Sequence, residues 1–123
     1  NQTVVITDRY IDSSIAYQGG GRVLSGQEIA RISRWATDGL TPTLTILLDL
    51  PAQIGFGRFA ERDRLESEPL DFHERVRSTF LERAALYSDR YLVVDATQSK
   101  EDISAQILER VLRLNSISRL KDK

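Results

Sequence analysis

Residues 8–22 read DRYIDSSIAYQGGGR and follow the apolar triplet Val4-Val5-Ile6 after a single residue, Thr7. Asp8 and Arg9 stand where a short strand would end, and Ser13, Ser14, Tyr17 and Gln18 come next, close enough together to share one helix. A guanidinium beside backbone amides and hydroxyls suits a phosphate, because its planar fork of donors matches two oxygens at once. Each residue taken singly has an ordinary structural reading. Asp8 and Arg9 can be an ion pair, Ser13 and Ser14 first-turn residues, Tyr17 a core aromatic with a wet hydroxyl, and glycines 19–21 a helix stop. Those readings do not account for the groups occurring together. With 17 basic and 18 acidic residues the formal charge is -1, so no global field favours nucleic acid or an anionic membrane, and any anion site must be local. The absence of cysteine removes disulfides, thiolate metal sites and cysteine nucleophiles, and suits a reducing cytoplasm. The single histidine, His73, reads as a surface residue on a helix.

The elements that must position these groups alternate in type. Continuous apolar runs at residues 4–6, 44–50 and 91–94 read as strands buried on both faces, as in a parallel sheet, and each ends at an acidic residue: Asp8, Asp49 and Asp95. Ser25-x-x-Glu28 reads as a capping box opening a helix that Gly39 stops. Asp71-x-x-Glu74 reads as the start of another, with Phe72, Val76, Phe80, Ala84 and Tyr87 on one stripe. Ser99 caps a third, and residues 51–62 form a further helix weakened by Gly55 and Gly57. A β-α-β-α order with such strands predicts a one-domain α/β layer fold, whose ligands bind beyond the carboxyl ends of the strands. No apolar run approaches the ~20 residues needed to span a bilayer.

The motif at residues 8–22 strongly resembles the signature of bacterial thymidylate kinases. The resemblance continues through TPTLTILLDLP at 41–51, DRLE at 63–66, FHERVRSTFLERA at 72–84 and VVDAT at 93–97. It implies an α/β fold of the P-loop nucleoside-monophosphate-kinase type, a parallel sheet in the order 2-3-1-4-5 with flanking helices. Strands 3, 4 and 5 then fall at residues 4–7, 44–50 and 91–94. The implied activity is phosphoryl transfer from ATP to dTMP, giving dTDP, in a cytoplasmic homodimer with Mg²⁺ held through the substrate phosphates. By the same resemblance, Arg9 contacts the acceptor phosphate near the transferred group, with Asp8 as its acidic partner. Ser13 and Ser14 lie in the acceptor site, Ser14 and Gln18 contact thymine, and Tyr17 lies against the sugar where it excludes a 2′-hydroxyl. Arg58, Arg62 and Arg64 belong to the lid region at 58–68 and clamp donor phosphates, Arg62 and Arg64 sharing the catalytic role with Arg9. Ala96, Thr97 and Gln98 form the loop near adenine, at 95–98.

One departure is large. The sequence contains no G-x-x-x-x-G-K-[ST] motif, and Gly19-Gly20-Gly21-Arg22 cannot replace it, lacking the lysine and the Ser/Thr that positions Mg²⁺. The expectation is therefore the C-terminal portion of one thymidylate kinase domain, whose partner is an N-terminal P-loop segment and which is inactive without it. A P-loop-less nucleotide-binding or regulatory module, and another nucleoside or nucleotide kinase of the same fold, are the alternative readings.

Overall fold

The structure, a computed structural model, describes residues 3–20, 25–58 and 69–114. Helix α1 (Ile11–Ser14) runs straight into a π-helical turn (Ile15–Gly20), followed by α2 (Gly26–Ala36), β1 (Thr45–Asp49), α3 (Ala52–Arg58), α4 (Leu70–Leu86), β2 (Tyr91–Asp95) and α5 (Lys100–Leu112).

Local chemistry explains the helix ends. The Ser25 hydroxyl accepts the Glu28 N–H at 3.3 Å while the Glu28 carboxylate accepts the Ser25 N–H at 3.3 Å, so the capping box satisfies two backbone donors at the start of α2. At its far end Asp38 and Gly39 both take left-handed backbone, φ 52° and 75°, and the Gly39 N–H donates to the Arg34 carbonyl at 2.8 Å. Nothing lies within 4 Å of where a Gly39 Cβ would sit, so this position favours glycine for its dihedral and not for space. Ser99 caps α5 as expected, accepting the Asp102 N–H at 3.1 Å. Helix α4 differs from expectation. Its N-cap is Pro69, whose φ of -58° leads into the helix, so Asp71 lies inside the first turn and pairs with Arg75 at 3.0 Å instead of capping. Phe72, Val76 and Ala84 are buried along α4, Phe80 partly so, while Tyr87 at the C-cap is 43% exposed.

Strands β1 and β2 are parallel and in direct register from Thr45↔Tyr91 to Asp49↔Asp95. Both α4 and α5 contact this pair, and Val94 on β2 is fully buried. The expected strand at residues 4–7 does not form. These residues have no regular structure, and Val5 and Ile6 are 82% and 91% exposed. A strand is stable only with a neighbour to complete its ladder, and no described strand lies beside this segment. The far side of β1 likewise meets no strand among the described residues, and Leu48 is 54% exposed, so β1 is not buried on both faces as its apolar run suggests.

Candidate functional site

The direct register of the strands sets Asp49 and Asp95 side by side at the carboxyl end of the sheet. Asp95 closes a turn there. Its Oδ1 accepts the Thr97 hydroxyl at 2.6 Å and the Thr97 N–H at 2.9 Å, and those bonds hold its carboxyl below the ordinary range. The Ala96 N–H donates to the Asp49 carbonyl at 2.9 Å, which ties the loop of Ala96, Thr97 and Gln98 to the end of β1. Gln98 reaches along the surface to Gln106 on α5.

Asp49 is itself held from α4. Arg77 donates through Nε at 2.8 Å and through a terminal nitrogen at 3.1 Å to the two carboxylate oxygens, a two-point fork. One turn earlier on the helix, Glu74 accepts the Ala52 N–H at 2.9 Å and lies 3.7 Å from Arg77. The root of α3, the end of β1 and the loop after β2 thus meet at one arginine. Sequence reasoning passed over Arg77, although a cation on a helix that covers the sheet was a usable signal.

At the opposite, amino end of the strands, Asp12 of α1 is 4% exposed and takes bonds from Arg83 at 2.7 and 2.9 Å and from Arg90 at 3.1 Å to each oxygen. Thr45 joins them, accepting from Arg90 at 3.0 Å. Burial pushes the Asp12 carboxyl up, and the bonds from Arg90 and Arg83 outweigh it, holding the group below its usual value. Two guanidinium groups face one carboxylate. Aromatic faces share the surplus charge, with Arg90 5.0 Å from the Tyr87 ring centroid and 4.9 Å from that of Tyr91, and Arg83 5.2 Å from Tyr87. Burial and the Asp12 carboxylate push the Tyr91 phenol up to about 12.

From Asp12 the chain follows α4 toward the carboxyl end. Ala16 is fully buried with Phe72 and Val76, and the Tyr17 ring lies 6.4 Å from Phe72 and 6.1 Å from Phe80, edge-on to the latter. Arg9, in a left-handed conformation at φ 61°, folds back so that its guanidinium sits 5.1 Å from the Tyr17 centroid. Of the acceptor-site residues expected from sequence, Arg9 and Tyr17 are therefore in contact. Ser13 is half-buried on the same segment, while Asp8, Ser14 and Gln18 are exposed. The opening motif, expected beyond the carboxyl ends of the strands, is anchored through Asp12 at their amino ends, because this aspartate finds its cations there. Arg58 closes α3, whereas Arg62 and Arg64 lie outside the described residues. His73 is partly buried with its ring edge-on to Phe72 at 5.4 Å, a correction to its reading as a surface residue.

The described residues do not fit a protein-held Mg²⁺. Asp49 has both oxygens on Arg77, Asp95 is turned to Thr97, and no group of three or more His, Cys, Asp or Glu converges among the described residues. Nor is any helix among them long and apolar enough to cross a membrane.

The sequence profile of thymidylate kinases matches residues 1–107. The chain belongs to the thymidylate kinase family. A thymidylate kinase of Cutibacterium acnes is 49% identical over 111 residues, covering 90% of this chain and 54% of the relative. One from Clavibacter michiganensis subsp. michiganensis is 52% identical over 115 residues, with 90% and 54% covered, and one from Latilactobacillus sakei subsp. sakei is 42% identical over 117, with 91% and 55% covered. The chain thus spans about half the length of the thymidylate kinases it matches.

Proposed function

We propose that this chain supplies the acceptor-binding portion, and the loop beside the donor base, of an enzyme that transfers a phosphoryl group from ATP to dTMP. The observation that carries the reading is Arg9, held in left-handed backbone with its guanidinium over Tyr17, inside the motif that resembles the family signature. Backbone held in a sparsely populated region costs free energy, and such positions concentrate where a side chain must be aimed. In the proposed reaction a phosphate oxygen of dTMP attacks the γ-phosphorus of ATP, the bond to the β-γ bridging oxygen breaks, and ADP leaves. The attacking group is already an oxyanion, so no general base is required. What is required is alignment and positive charge on the oxygens in flight. Arg9 provides that charge, joined by Arg58, Arg62 and Arg64 from the lid region. Ser14 and Gln18 orient the base with Ser13 beside them in the acceptor site, Asp8 supports Arg9, and Ala96, Thr97 and Gln98 lie along adenine. Mg²⁺ would travel with the nucleotide phosphates, outside this chain's own ligand set.

The absence of G-x-x-x-x-G-K-[ST] favours one other reading, a module that binds thymidylate without transferring phosphate. Comparing acceptors separates them, using a full-length form that carries the expected N-terminal P-loop segment. Thymidylate should be phosphorylated in preference to uridylate and thymidine. Tyr17→Ala should narrow the preference for thymidylate over its ribo counterpart by roughly tenfold, chiefly by gain of the ribonucleotide, whereas Tyr17→Phe keeps it. Thymidylate binding without turnover selects the module, and an unchanged ratio in a destabilised Tyr17→Ala protein removes Tyr17 from the sugar site.

A further inference from the structure

We propose that Arg77 is a positioning residue for the donor-nucleotide side, acting through Asp49 on the loop of Ala96, Thr97 and Gln98. The inference rests on the proposed role of that loop. Its geometry is a chain of three links. Arg77 grips both Asp49 carboxylate oxygens at 2.8 and 3.1 Å, the Asp49 carbonyl accepts the Ala96 N–H at 2.9 Å, and Asp95, paired in register with Asp49, fixes Thr97 through its Oδ1. The Arg77 and Asp49 side chains are 31% and 21% exposed, so water only partly weakens the fork, and a two-point fork sets direction in a way that a single contact does not. Asp49 holds that pose because a covering helix reaches over the end of β1. Without Arg77, the end of β1 loses its tie to the covering helix at Asp49, the residue whose carbonyl receives the Ala96 N–H. Glu74 makes the same helix answer for the start of α3 through the Ala52 N–H, so one helix face sets both segments that leave the carboxyl end. Among the described residues the Arg77 side chain pairs with Asp49 and Glu74, away from the Arg9–Tyr17 contact that the proposal assigns to the acceptor, so its loss should be felt on one substrate only.

The test compares Arg77→Met, Arg77→Lys and the control Arg75→Met, whose parent residue pairs with exposed Asp71, in the full-length form. Arg77→Met should raise KM for ATP roughly tenfold with KM for thymidylate within about twofold. It should also speed exchange of the Ala96 amide by roughly tenfold, with Arg77→Lys recovering part of both and the control changing neither. Parallel rises in both KM values that track the loss of melting temperature would make Arg77 merely structural and overturn the inference, as would an unchanged Ala96 exchange rate. If the parent protein does not phosphorylate thymidylate at all, the proposed function fails, and the Ala96 exchange still decides whether Arg77 holds the loop.

Discussion

Arg9→Ala in the full-length form will lower turnover with thymidylate by ~10²-fold or more, the loss expected when one preorganised charge is removed from a phosphoryl-transfer transition state. Arg9 is exposed and its backbone is already in the left-handed region, so truncation removes little packing. A β-carbon remains, and the strain at φ 61° is unchanged in kind. Stability should therefore stay near that of the parent while kcat falls. Arg9→Lys should restore only part of the rate, because a point charge reproduces neither the fork nor the flat contact with the Tyr17 ring. Steady-state kinetics with a melting curve for each variant check this. A turnover within a few-fold of the parent would make Arg9 structural.

The largest stability effect is expected at Phe72. Its side chain is 3% exposed and forms a cluster with Ala16 and Val76, with Tyr17 and Phe80 against it. Phe72→Ala leaves a cavity that α4 and the π-helical turn cannot both collapse into, and should cost about 3–5 kcal/mol. Small domains have only about 5–15 kcal/mol in all, so much of the protein's stability depends on this ring. Phe72→Leu should cost clearly less, since it keeps most of the volume. Urea denaturation at unchanged m-value measures both. Because Phe72 lies behind Tyr17, the alanine variant should also loosen the Arg9–Tyr17 contact, so its activity should fall further than that of a distant variant of equal stability. Equal stability in Phe72→Ala and the parent would mean that the α1 segment does not dock on α4 as described.

What could be read from the sequence was what neighbours in the chain decide. The capping box at Ser25 and Glu28, the Ser99 cap and the two strands depend on residues within a few positions, and they stand where the pattern put them. The segment at residues 4–7 carries an equally good strand pattern and forms none, because strand formation needs a partner and pattern alone cannot supply one. The ion clusters were invisible for a related reason. Asp12 meets Thr45, Arg83 and Arg90 across 33, 71 and 78 residues of sequence, and Arg77 meets Asp49 across 28. One clue was available. Arg83 continues the line of Phe72, Val76 and Phe80 on α4, and a charge on the buried stripe of a helix requires a counter-ion from elsewhere in the fold. The motif itself gave Arg9 and Tyr17 as candidates, but their contact depends on the left-handed turn at Arg9, which no side-chain pattern announces in a residue other than glycine.

The central claim is that this chain provides the thymidylate site of a kinase and depends on a P-loop supplied from outside its own sequence. Phosphorus NMR of ATP, Mg²⁺ and dTMP tests it most directly, run once with the full-length form and once with the 123-residue chain alone. The account predicts resonances of dTDP and ADP growing together with the full-length form and none with the chain. Sustained dTDP formation by the purified chain, or none by the full-length form, would contradict it.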